Sequence, residues 1–183
     1  MTTIKLSRMI NPHFYPLWRT NKPYIIAKGG RGSFKSSVIS MKMVTMVKHW
    51  TQLSRRVNAI AVRENASYLH DSVYNQIMWA LTVLNLNDEY NYYKSPLRIV
   101  HKRTGSTFYF YGGDDPMKLK SNIVDNVIAV WYEEAANFKS QDIFDQANPT
   151  FIRQKRSFVD HVTVFYSYNP PKNPYDWINE RIE

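Results

Sequence analysis

Short apolar runs and longer periodic stretches alternate along the chain. Tyr24-Ile25-Ile26-Ala27 ends at glycines, and Val57 to Val62 is a second apolar run. Val127 to Tyr132 is a third that closes on two glutamates, and Val162 to Tyr166 a fourth that leads into the proline-rich exit Ser167 to Pro174. Runs of this length bounded by breakers or charge predict buried strands. Between them the spacing changes. Lys35 to about Trp50 has no glycine or proline, and Val38, Ile39, Met43, Val44, Met46, Val47 and Trp50 recur as on one side of a helix. Ser67 to about Leu84 predicts a long amphipathic helix with Leu69, Val73, Ile77, Leu81 and Leu84 on one stripe. Leu97 to His101 and Thr107 to Tyr111 flank the turn-like Lys102 to Ser106 and predict a hairpin. Gly112 to Pro116 is a breaker cluster, and residues 140–147 predict a short helix. Strands alternating with helices predict βαβ units: an α/β fold with a mostly parallel central sheet flanked by helices.

Composition narrows the class. A chain of 183 residues is one domain, and 44% apolar with 15% aromatic content excludes a disordered chain. The 24 Lys+Arg against 15 Asp+Glu give +9, an excess that invites nucleotide or nucleic acid. Absence of cysteine excludes disulfides, cysteine zinc sites and thiol catalysis. No apolar run approaches the roughly 18 residues of a membrane span. The N-terminal segment lacks the apolar core of a signal peptide, so cytoplasm is the expected compartment. The sequence stops in a helix-like stretch, Tyr175 to Ile178, and residues 1–183 therefore read as one domain cut from a longer protein.

Three of the six glycines fall within four positions, in Gly29-Gly30-Arg31-Gly32-Ser33-Phe34-Lys35-Ser36-Ser37. The stretch follows a predicted strand and opens a predicted helix, the context of a phosphate-binding loop. Glycines let successive amides curl around phosphate oxygens, and the helix N-terminus adds unpaired donors and a positive dipole end. Lys35 would reach the β- and γ-phosphates, and the Ser36 hydroxyl would ligate Mg²⁺. Phe34 replaces the glycine that normally precedes the lysine, which implies a backbone outside the glycine range and space for a ring. A glycine-rich turn followed by a chance Lys-Ser is the bland alternative.

The run Val127 to Tyr132 ends in Glu133-Glu134. Consecutive strand residues point to different sides, so the two carboxylates can divide the work. Glu133 would enter the metal shell, and Glu134 would polarise the attacking water as general base. Two glutamates marking where a strand meets solvent are the plain alternative. The conjunction with the upstream loop, in this order, is the specific signal.

Three motifs in order, Gly-Gly-Arg-Gly-Ser-Phe-Lys-Ser after Tyr-Ile-Ile-Ala, then Trp-Tyr-Glu-Glu-Ala-Ala-Asn-Phe, then Tyr-Ser-Tyr-Asn-Pro-Pro, resemble one family. It is the N-terminal ATPase domain of the large terminase subunit of tailed bacteriophages and related prophages, over about residues 14–178. The resemblance implies a RecA-like P-loop fold of the class with an added catalytic glutamate. It implies a motor that hydrolyses ATP with Mg²⁺ to push double-stranded DNA through the portal into a procapsid. Partners would be the small terminase subunit, the portal protein and further copies in a ring, in the host cytoplasm. The family's C-terminal nuclease domain has no counterpart in these residues, so no nuclease activity is expected of them.

By the same resemblance, Lys35 and Ser36 match the loop lysine and metal-binding hydroxyl, and Arg31 a basic position that senses the γ-phosphate. Glu133 stands where many P-loop enzymes have Asp, and Glu134 matches the catalytic glutamate. Ser167, Tyr168, Asn169 and Pro170 match the motif after the next strand that couples hydrolysis to movement. Tyr15, Trp18 and Arg19 are candidates for stacking on adenine, or for stapling the N-terminal segment to the core. Lys118, Lys120 and Arg63 are candidates for a basic residue acting on a neighbouring subunit's site, or for solvated charges.

Other chemistry finds less support. The five histidines show no metal-ligand spacing, Asp142 and Asp145 lack a third acidic partner, and G-x-S-x-G is absent. The basic runs Lys48-His49, Arg55-Arg56, Lys102-Arg103 and Arg153 to Arg156 are candidates for DNA phosphate or ordinary solvated patches. Another P-loop nucleic-acid ATPase of helicase or recombinase type, or a DNA-binding module with a degenerate nucleotide site, remain alternatives at this stage.

Overall fold

The computed structural model describes residues 3–31, 33–114, 124–156, 158–172 and 176–178. Among these, seven strands form one sheet: β1 (Tyr24–Lys28), β2 (Asn58–Arg63), β3 (Tyr90–Lys94), β4 (Leu97–His101), β5 (Thr107–Gly112), β6 (Val127–Glu133) and β7 (Thr163–Tyr168). Their spatial order is β1-β7-β6-β2-β5-β4-β3. The pairs from β1 to β5 are parallel, whereas β5–β4 and β4–β3 are antiparallel. Four helices of the α type accompany it among the described residues: α1 (Tyr15–Arg19), α2 (Lys35–Gln52), α3 (Asn75–Val83) and α4 (Asp142–Arg153).

Period-2 alternation splits the core between the two sheet faces. Ala59 and Ala61 of β2, Ala129 and Trp131 of β6, and Phe165 of β7 pack with α2 and α3. Ile60, Val62, Val130, Tyr132 and Val164 pack on the other side with Phe144 and Phe151 of α4. β2 and β6 are covered on both faces and so read as continuous apolar runs. β1 departs from the sequence reading. It is an edge strand rather than a fully buried one, with Tyr24 and Ile26 half exposed.

Four further elements differ from expectation. The single helix over 67–84 is a 3₁₀ turn (Ala66–Tyr68), a π-helical turn (His70–Tyr74) and then α3. Its apolar residues repeat every four positions, which drifts around a 3.6-residue helix. The wider π turn absorbs that drift and keeps Leu69, Val73 and Ile77 buried. β3 has no sequence signature, because only Tyr90 of its residues is buried and the rest carries no apolar alternation. α4 continues past Pro149 to Arg153, since Phe144, Ala147 and Phe151 anchor one side of it in the core. β7 runs two residues beyond Tyr166, so Ser167 and Tyr168 belong to the strand rather than to the segment after it.

Candidate functional site

All five parallel strands deliver their C-terminal ends to one edge, where open α/β sheets bind ligands. The β1–α2 connection starts there with Gly29, tied to β7 by its N–H donating to Tyr168 O at 3.3 Å. Phe34 is the N-cap of α2 with φ 62° and ψ 13°. This corrects the sequence reading: the phenylalanine takes the left-handed conformation that glycine favours, at a cost of about 1–2 kcal/mol, and the residue is 66% exposed. No side chain caps α2, so the first-turn amides are left for an anion. Ser33 Oγ is buried without a hydrogen-bond partner, and a Cβ on Gly29 would come within 3.1 Å of it. Gly32 lies outside the described residues.

Lys35 Nζ donates to Gly29 O at 3.2 Å, to Gly30 O at 3.4 Å and to Asn169 Oδ1 at 2.7 Å. Burial lowers its pKa, while Glu133 and Glu134 pull the other way. Ser36 Oγ donates to Glu133 Oε1 at 3.3 Å, which joins the glycine loop to the acidic strand end. The pKa of Glu133 is raised, chiefly by burial and further by Glu134, against the opposing pull of Arg63, Ser36 and Lys35. Its Oε2 is buried and accepts no hydrogen bond; Arg63 Nε approaches it at 3.6 Å. Glu134 is itself left-handed, with φ 50° and ψ 50°, and turns the chain out of β6. Its Oε2 receives Arg63 Nη2 at 2.5 Å and Asn137 Nδ2 at 2.7 Å.

The donor set suits a hard cation. A hydroxyl and a carboxylate with an orphaned buried oxygen are oxygen ligands of the kind Mg²⁺ takes, and substrate phosphates and water usually complete its shell. No group of three or more His, Cys, Asp or Glu able to hold a metal occurs among the described residues. The phosphates would therefore be needed to complete the site.

Arg63 sits in this site on its own chain, clamped between Glu133, Glu134 and the Tyr68 ring at 5.6 Å. That corrects the reading of Arg63 as a solvated charge. The missing signal was the adjacency of β2 and β6, which pairs Val62 with Tyr132 and so brings their charged ends together. Asn137 and the Lys35–Asn169 link were likewise not legible as contacts. Ser167 is buried opposite Glu133 in the sheet register, and its Oγ accepts from Trp131 Nε1 at 2.8 Å. Arg31 is exposed on the loop, and Ser37 lies in the first turn of α2. Lys118 and Lys120 lie outside the described residues.

Tyr15, Trp18 and Arg19 engage other partners. Tyr15 Oη donates to Ser7 O at 3.0 Å, and Arg19 lies over the Tyr15 ring at 5.2 Å. Trp18 lines a groove with Lys42, Thr45, Met46, His49 and Trp50, from two turns along α2 to its far end. A groove of about 520 Å³ does adjoin the loop, lined by Met9, Asn11, Phe34, Ser37, Met41 and Trp79 among others. A larger one of about 600 Å³, between β1, β7 and α4, includes none of the loop or acidic residues.

With this geometry in place, the comparisons decide the family. The model of the phage terminase large subunit matches residues 21–182. The chain belongs to the phage terminase large-subunit family. This terminase chain is 32% identical over 187 positions to the terminase large subunit of Bacillus phage SPP1, covering 98% of this chain and 43% of the relative. It superposes on the large terminase of a thermophilic bacteriophage with a TM-score of 0.66 at 20% identity, over 90% of this chain and 39% of that one. The same thermophilic phage protein in complex with ADP gives 0.64 at 20% identity, over 89% and 39%. The N-terminal domain of the DNA packaging ATPase from bacteriophage phi29 gives 0.63 at 14% identity, over 95% of this chain and 87% of that one. The terminase chain thus has the RecA-like P-loop fold of these proteins, and it spans under half the length of the SPP1 relative and of the thermophilic phage protein.

Proposed function

We propose that this chain is an ATP-hydrolysing motor domain that drives double-stranded DNA into a procapsid. The 3.3 Å contact between Ser36 Oγ and Glu133 Oε1 carries the reading, because it closes the phosphate loop onto the acidic strand end. In this reading Lys35 exchanges its carbonyl and Asn169 partners for β- and γ-phosphate oxygens. The free amides of the loop and of the first turn of α2 hold the remaining oxygens, and Arg31 meets the γ-phosphate. Ser36 and Glu133 are the protein ligands for Mg²⁺, which when bound neutralises charge on the phosphates. Glu134 Oε2 is pinned by Arg63 and Asn137, which leaves Oε1 to orient the attacking water and accept its proton. The groove beside Ser37, between Met9, Asn11, Phe34 and Trp79, takes the base. Coupling runs through Asn169: a phosphate that claims Lys35 releases it, and the end of β7 with Ser167 registers the change.

The SPP1 match and the phi29 packaging ATPase fold support packaging as the task. Double-stranded DNA, a small terminase subunit, a portal protein and a ring of copies are the partners proposed, in the cytoplasm of an infected or lysogenic host. A degenerate module that binds nucleotide without turnover is the second reading, favoured by the strain at Phe34. Steady-state turnover with and without Mg²⁺ tests both. The expected result is Mg²⁺-dependent hydrolysis that is lost in Glu134→Gln while a non-hydrolysable analogue still binds. Binding without turnover in the wild type supports the second reading, and no binding of the analogue at millimolar concentration overturns both.

A further inference from the structure

Three of the basic runs, far apart in sequence, converge at the end of the sheet opposite the nucleotide site. Arg55-Arg56 precedes β2, Lys102-Arg103 follows β4, and Lys155-Arg156 follows α4. Direct contacts knit them together. Arg103 donates to Thr51 O at 2.5 Å and to Ser54 Oγ at 2.7 Å, beside Arg55. Arg55 lies over the Phe158 ring at 4.6 Å. Arg156 donates to Asn126 Oδ1, and Asn126 Nδ2 donates to Arg56 O at 3.1 Å.

The partners of these cations are mostly neutral: two backbone or hydroxyl oxygens, an amide and a ring. They fix the guanidinium positions without cancelling the charge. Arg56 is the exception, with Asp125 at 3.3 Å, and it remains 47% exposed. The other carboxylates at this end, Asp88, Glu89 and Asp160, are outnumbered, and Glu89 is itself 3.5 Å from His101. Arg55, Lys102, Arg103 and Arg156 are exposed. β2 alone separates this surface from Glu133 and Glu134 by roughly 20 Å, so one nucleotide cannot serve both.

The geometry points to this basic end as a binding surface for the phosphate backbone of duplex DNA, read without regard to sequence. The assignment rests on the packaging reading above and gives its DNA a place. Fixed, exposed guanidinium groups suit bidentate phosphate contacts. Sequence-independent grip through phosphates suits a ligand that is moved along its length. Single strands are bound on exposed aromatic rings. The large exposed aromatics among the described residues, Tyr24, Phe34, Tyr68, Trp79 and Tyr93, are not part of this cluster, where Phe158 is half covered beneath Arg55.

The test is fluorescence anisotropy with a short blunt DNA duplex over a salt series. Arg55→Glu/Lys102→Glu removes two cations that accept no structural load through hydrogen bonds, and Lys94→Glu/Arg98→Glu on the β3–β4 hairpin is the matched control. The first variant should weaken duplex binding tenfold or more and flatten the slope of log K against log salt by about 1.8, at roughly 0.9 per phosphate contact. The control should change neither. Arg55→Gln/Lys102→Gln, with a melting curve for each protein, keeps the result independent of misfolding by charge reversal. Equal binding by wild type and Arg55→Glu/Lys102→Glu, or a loss confined to the hairpin variant, overturns the assignment, as does tighter binding of single strands than of duplex. Binding of an ATP analogue is followed in the same samples. Its retention alongside unchanged DNA binding sinks this inference alone, whereas absence of analogue binding in the wild type sinks the motor reading.

Discussion

The two ends of the sheet differ in what their polar side chains meet. At the lower end, where parallel strands begin, several buried polar side chains are tied to the backbone. Asn58, with no exposed surface, donates to Asp125 O at 2.7 Å and accepts from Thr107 N–H at 3.0 Å. Ser106 Oγ accepts from Val57 N–H, and Asn126 Nδ2 reaches Arg56 O. At the upper end Ser33 Oγ and Glu133 Oε2 are buried without hydrogen bonds, and Phe34 and Glu134 hold left-handed backbones. Unsatisfied polar atoms and strained residues cost stability wherever they occur. Left-handed residues occur at the lower end too, but there the side chains of Ser54 and Asn126 are hydrogen-bonded, whereas at the upper end they flank a buried carboxylate oxygen and a hydroxyl that a ligand could supply with partners.

Substitutions at the two ends should therefore separate chemistry from folding. The largest effect is expected at Glu134. Glu134→Gln should lower ATP turnover by about 10²–10⁴-fold, the usual worth of a positioned general base, with little change in the melting temperature of this partly exposed residue. A variant that hydrolyses ATP at the wild-type rate removes Glu134 from the mechanism. At the lower end, Asn58→Leu strands Asp125 O and Thr107 N–H and should destabilise by about 2–4 kcal/mol in a denaturant titration. The folded fraction should still bind an ATP analogue, and a selective loss of binding would erase the distinction between the ends.

A pH comparison sharpens the contrast further. Burial raises the pKa of Glu133, so the native state holds its proton to a higher pH than the unfolded chain does. The stability that this proton provides is present below the ordinary carboxylate value and disappears as pH rises through the raised one. Glu133→Gln should accordingly melt higher than wild type at neutral pH, with the gap closing on acidification, while losing Mg²⁺-dependent turnover. A lower melting point at neutral pH would show that the Ser36 and Arg63 contacts outweigh desolvation. The smallest effect is expected at Phe34. Phe34→Gly relieves the left-handed strain but loosens the unfolded chain, so stability should move by no more than about 1 kcal/mol. Because the ring lines the groove proposed for the base, analogue affinity should fall severalfold; unchanged affinity would take the ring out of the base site.

Much of this site was legible because its parts are local. Three glycines in four positions before a lysine and serine describe a strand–loop–helix turn whose amides must face outward, and a wholly apolar strand ending in two glutamates must deliver them to a sheet edge. Arg63 was not legible as their partner, since its place depends on β2 lying beside β6, a pairing between residues about 70 positions apart. The strand β3 was hidden for a different reason: an edge strand buries little, so its sequence need not alternate. The break in the helix over 67–84 followed from a four-residue apolar spacing that only a π turn reconciles with the core.

By itself the sequence determined the α/β alternation, the phosphate loop with Lys35 and Ser36, and the acidic pair, because period, turn chemistry and helix-start signals act over a few residues. The tertiary structure alone decided that the loop and the pair meet, that Arg63 and Asn169 complete them, and that three separate basic runs share one surface. Those juxtapositions are set by strand order and packing across the sheet, which short-range patterns constrain but do not encode.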